Sequence, residues 1–120
     1  MDNRIKLSNK EINNILDKVK SKNKKHFIFI PRDYDTQKNP REYMAELGID
    51  YNDAIQIIKK LSINNFVECI LDKKNNYIYL YVFKDYIKDN MTYIKIGFLY
   101  DIKSGDVHVV SFHKDIIEED

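Results

Sequence analysis

Thr92-Tyr93-Ile94-Lys95-Ile96-Gly97-Phe98-Leu99-Tyr100 and Val107-His108-Val109-Val110-Ser111-Phe112-His113 decide the fold, because together they read as a β-hairpin. In the first arm Ile94, Ile96 and Phe98 point one way, and Tyr93 and Lys95 the other. Lys103-Ser104-Gly105-Asp106 supplies the expected turn. Simple alternation in the second arm predicts Val109, Ser111 and His113 on one face, opposite His108, Val110 and Phe112. The polar side chains of this hairpin are the place to look for chemistry.

Two further strands precede it, Phe66 to Leu71 and Tyr77 to Lys84, joined by a turn over Asp72–Asn76. A polar loop is expected from Lys84 to Asn90. Upstream the pattern is helical. Ser8 and Glu11 have capping-box spacing, with Leu7 and Ile12 as a hydrophobic staple. Ile12, Ile15, Leu16 and Val19 then form one apolar stripe to about Ser21. His26–Ile30 is a short strand closed by Pro31, and Arg32–Lys38 a polar loop. Asn39-Pro40 opens a second helix that ends at Gly48. Asp50 or Asn52 opens a third, with Ala54, Ile55, Ile58 and Leu61 inward.

The order predicts an α+β fold, an antiparallel β-sheet with helices packed mainly on one face. One domain is expected over 1–120: mostly helical with one short strand over 1–64, strands over 65–114, and an acidic tail over 115–120. The single Cys69 rules out an internal disulfide and a Cys-rich zinc site. No apolar run reaches membrane-span length, and no signal peptide is legible, so the expected location is the cytoplasm. A net charge of +1 gives little whole-molecule attraction for nucleic acid.

Leu47-Gly48-Ile49-Asp50-Tyr51, then Ile57-Ile58, Leu61-Ser62 and Asn65-Phe66, resembles the middle of the MqsR family of bacterial toxins. Tyr93-Ile94-Lys95-Ile96 and Val109-Val110-Ser111-Phe112-His113 are similar to that family's last hairpin. The resemblance covers roughly Ala45 to Lys114. It implies a RelE-like fold and an mRNA interferase, an endoribonuclease without metal or other cofactor. It also implies mRNA as substrate, a cognate antitoxin as partner and no membrane, with dependence on the ribosome left open. The family's catalytic Lys aligns with Glu68 and its Gln with Leu80; its Tyr is kept as Tyr93, and its terminal basic residue aligns with His113, beside Lys114.

RNA carries its own nucleophile, the 2′-hydroxyl, so cleavage needs a base, donors for the phosphate and an acid for the leaving oxygen. The expected catalytic set is Glu68 as base, Lys95 on the phosphate, His113 as acid and Tyr93 as phosphate donor or nucleotide positioner. Lys84, Lys114 and Tyr79 are the expected RNA contacts, Tyr79 through the row Tyr77-Tyr79-Tyr81-Phe83, which reads more readily as packing. His26 and His108 read as structural and Cys69 as a small buried hydrophobe. Glu68 and Leu80 favour the alternative, a catalytically degenerate protein-binding module on the same fold.

Overall fold

The computed structural model describes residues 3–32, 35–73, 78–98 and 105–115. Its strands are β1 (Arg4–Ile5), β2 (Phe27–Phe29), β3 (Phe66–Asp72), β4 (Ile78–Ile87), β5 (Asn90–Phe98) and β6 (Val107–Lys114). Its helices are α1 (Asn9–Ser21), α2 (Pro40–Leu47) and α3 (Tyr51–Lys59). The sheet order is β1-β3-β4-β5-β6-β2. The expected α+β class holds, with one refinement. Every pairing is antiparallel except that of β2, which runs parallel to β6 at the sheet edge. Local sequence carries no information about which distant strand a three-residue segment will join.

The helix starts follow from capping chemistry. Ser8 Oγ accepts from the Glu11 amide while Glu11 reaches back to the Ser8 amide, both at 3.2 Å. Asn39 accepts from the Arg41 amide, and Pro40 fills the first helical position, where no N–H is needed. Asp50, rather than Asn52, caps α3 in a second box with Asp53. Gly48 closes α2 at φ 71°, a left-handed conformation that suits glycine.

The apolar faces of α1, α2 and α3 bury against one side of the sheet. The sheet contributes Phe83 and Ile87 of β4, Ile94, Ile96 and Phe98 of β5, and Val107, Val109 and Phe112 of β6. Each such side chain contributes roughly 1.5–3 kcal/mol when fully buried.

β6 departs from simple alternation. Lys95 pairs with Ser111 but Ile96 pairs with Val109, so Val110 is an inserted residue, a β-bulge. The bulge resets parity. Val107, Val109 and Phe112 all lie in the core at 0% exposure, while Ser111 and His113 turn to the opposite face with Tyr93 and Lys95. The expected grouping of Val109 with Ser111 and His113 is thereby corrected. Without the bulge, either the two valines or Phe112 would leave the core.

β4 and β5 also run further than alternation predicts. The expected polar loop is only Lys88-Asp89, a two-residue connection between Ile87 and Asn90. Both residues have positive φ, 49° and 68°, the combination of a type I′ turn. The usual Asn-Gly signal is missing; Lys88 Nζ instead donates to the Leu47 carbonyl oxygen at 2.8 Å and anchors the turn to α2. Asp89→Gly relieves a left-handed non-glycine residue and is expected to stabilise the fold by about 0.5–1 kcal/mol. An unchanged or lowered urea midpoint would count against this account of the turn.

Leu99 and Tyr100 of the expected first arm, Lys103 and Ser104 of the expected last turn, Lys74–Tyr77, and the tail residues Glu118-Glu119-Asp120 lie outside the described residues.

Candidate active site

The sheet face opposite the helices carries two rows of paired residues. One is Glu68, Val82, Lys95 and Ser111 across β3 to β6; the next is Lys84, Tyr93 and His113 across β4 to β6. Period-two geometry fixes these side chains to a common face, and the bulge brings β6 into phase.

Over the β5–β6 end of this face lies a cleft of about 430 Å³, lined by Arg32, Asp35, Gln37, Lys38, Tyr93, Lys95, Ser111, His113 and Asp115. Tyr93 and His113 stack with ring centroids 5.2 Å apart and planes 14° apart. Lys95 Nζ is 6.0 Å from the Tyr93 ring centre. His113 Nδ1 donates to the Lys114 carbonyl oxygen at 2.8 Å, which in the neutral ring leaves Nε2 as an acceptor.

Burial and positive charge set the protonation pattern. Burial first, then Lys38, Arg32 and Lys95, holds the His113 pKa below the ordinary histidine value, against the opposing pull of its backbone hydrogen bond. Burial also lowers the Lys95 ammonium, with Arg32 and Lys38 adding and Asp72 and Glu68 opposing. The Tyr93 phenol is raised by burial, then by Glu68 and Asp115, with Arg32 opposing. The cleft therefore combines a neutral imidazole with several cations, an arrangement suited to proton abstraction beside an anion.

Tyr93, Lys95 and His113 thus come together. Glu68 shares their face but does not line the cleft. It sits three strands from His113, roughly 14 Å between backbones at the usual spacing, and its Oε2 is 3.4 Å from Arg4 Nε. Lys84 reaches the rim, where its Nζ pairs with Asp115 Oδ2 at 3.0 Å. Lys114 pairs with Thr92 in register and so faces the helix side, away from the cleft. Tyr79 shares the parity of Tyr81 and Phe83 and also lies on the helix side, 48% exposed. Leu80 is on the cleft's face but buried, against Gly97. His26 bonds Asp106 Oδ1 at 2.9 Å, tying the start of β2 to the start of β6. Cys69 is buried, and that burial pushes its thiol up to about 11.

Sequence reasoning missed Arg32 and Lys38. They were visible only as charges in a polar loop, and the parallel pairing of β2 with β6 is what carries that loop over the cleft. Tyr86, 68% exposed, was missed too; it shares the cleft's face because β4 continues past Lys84.

Among the described residues no cluster of three His, Cys, Asp or Glu side chains is arranged to hold a metal ion. No described helix is long and apolar enough to cross a membrane. The profile of the family described as "Motility quorum-sensing regulator, toxin of MqsA" matches residues 14–114. No curated protein matches the chain significantly.

Proposed function

Because the chain belongs to the MqsR toxin family, toxins that pair with an antitoxin, we propose that it is a metal-independent endoribonuclease acting on messenger RNA, with the Tyr93–Lys95–His113 cleft as its active site. One observation carries this reading. A neutral His113, with Nε2 left as acceptor, shares a cleft with Arg32, Lys38 and Lys95.

In this mechanism His113 Nε2 takes the proton of the 2′-hydroxyl. The 2′-oxygen attacks the adjacent phosphorus, and Arg32, Lys38 and the Tyr93 hydroxyl donate to the charged phosphate oxygens. Lys95, its pKa lowered by burial, gives a proton to the departing 5′-oxygen. The products are a 2′,3′-cyclic phosphate and a 5′-hydroxyl. His113 thus becomes the base in place of Glu68, because burial and its cationic neighbours favour the neutral ring. Glu68 is assigned a charge-balancing role from the edge of the same face.

The test is cleavage of purified RNA in excess chelator with the ends mapped. Discrete cuts bearing those ends support the reading. A folded protein that cuts no RNA, with or without ribosomes, points instead to the inert protein-binding module that Glu68 and Leu80 favour.

The pH dependence has a definite sign. Protonating His113 removes the base, so kcat/KM rises with pH through a value below 6.5. An acid limb centred above 7 contradicts the assignment. Native stability follows the same direction. The unfolded chain binds this proton first, so His113 destabilises the fold as pH drops from 6.5 through its lowered pKa.

A further inference from the structure

We propose that the outer edge of β2 is a base-binding subsite for the single-stranded RNA that flanks the cleavage cleft. The proposal rests on the nuclease reading and adds to it a site on the far side of the same loop. Residues 31–40 contribute Arg32 and Lys38 to the cleft, and Pro31, Asn39 and Pro40 to a second cavity of about 220 Å³. That cavity is completed by Phe29, Ile30, Arg41 and Tyr51. A third, of about 360 Å³, continues past Phe29 and Tyr51 to Lys24 and Ile55. Phe29 and Tyr51 thus stand between two pockets, forming one groove along the sheet edge.

Three features of this groove fit a nucleobase. Tyr51 is 43% exposed and braced edge-on by Phe29, with ring centroids 5.0 Å apart and an angle of 66°, so it offers a held aromatic surface. β2 is an outermost strand, and the Ile30 amide donates inward to the Val109 carbonyl oxygen at 3.0 Å. By alternation the Phe29 amide and carbonyl turn outward, a donor and an acceptor side by side at the sheet edge. Basic residues mark the route: Lys24, with Lys59 over the Phe27 ring at 6.0 Å, at one end; Arg41 at the other; Lys38 and Arg32 beyond it in the cleft. The acids of the first turn of α3, Asp50 and Asp53, are engaged with that helix's own amides. Aromatic stacking interleaved with cations is the chemistry of single-strand recognition, and an outward donor–acceptor pair adds a means of reading a base edge.

The experiment measures affinity for oligoribonucleotides from dinucleotide to octanucleotide, made uncleavable by 2′-O-methylation. Wild type should tighten stepwise with length. Tyr51→Ala should weaken the longest oligonucleotide about 5- to 100-fold and flatten the length dependence. Tyr51→Phe, which keeps the ring, should restore both. Lys24→Gln should reduce the slope of log affinity against log salt by about one contact. In wild type, a photo-crosslinking thiouridine outside the scissile step should label the Phe29–Tyr51 segment, which holds the test open should Tyr51→Ala misfold. A folded Tyr51→Ala that matches wild type at every length, or crosslinks elsewhere only, overturns the subsite and leaves the nuclease standing. Wild type that binds none of these oligonucleotides overturns the subsite, and the cleavage assay decides the nuclease reading separately.

Discussion

His113→Ala is expected to lower the rate of RNA cleavage about 10²- to 10⁴-fold, while Glu68→Ala lowers it less than about tenfold. The difference follows from position. His113 is buried in the cleft, hydrogen-bonded so that Nε2 can accept a proton, and stacked on Tyr93. Glu68 stands three strands away on the same face, beside Arg4, where it acts on Lys95 and Tyr93 only through charge. Single-turnover cleavage of one RNA by wild type and both variants checks this. The His113→Ala profile should also lose the acid limb that wild type shows below pH 6.5. The reverse order of effects, large for Glu68 and small for His113, would return the role of base to Glu68.

Phe112→Ala is expected to destabilise the fold by about 3–5 kcal/mol, a large share of the 5–15 kcal/mol typical of a domain. Phe112 is fully buried and packs on rings from two separate elements, Phe29 of β2 at 6.2 Å and Tyr43 of α2 at 6.0 Å. Its truncation removes the transfer energy of the ring, opens a cavity and breaks two aromatic contacts. It also loosens the sheet edge from which the Arg32–Lys38 loop departs. Phe112→Leu, at a smaller stability cost, should therefore weaken RNA binding although residue 112 faces away from the cleft. Urea denaturation with a parallel binding titration tests both. A loss under about 1 kcal/mol for Phe112→Ala would show that the ring cluster is not what secures β2.

Much of this was legible in the residues themselves. The capping box at Ser8, the stop at Gly48 and the period-two run from Tyr93 to Phe98 rest on interactions within a few residues, so the local sequence determines them, whereas the choice of Asp50 over Asn52 as the cap of α3 came from the structure. The same alternation separated Tyr93 and Lys95 from the core, and the resemblance of the last hairpin singled out His113. Three features lay beyond any local rule. The bulge at Val110 exists because the core gains Val107, Val109 and Phe112 together, a preference exerted by helices far away in the chain. β2 lies parallel to β6 because its rings find Phe112 and α3 there, and only that pairing brings Arg32 and Lys38 to the imidazole. Glu68 shares the sheet face that the expectation of a base required, but its distance from His113 depends on the order of strands in the sheet. By itself the sequence determined the α+β class and which side chains are available for chemistry. The tertiary structure decided which of them meet, because strand order, register and loop placement minimise the free energy of the whole core rather than of any one segment.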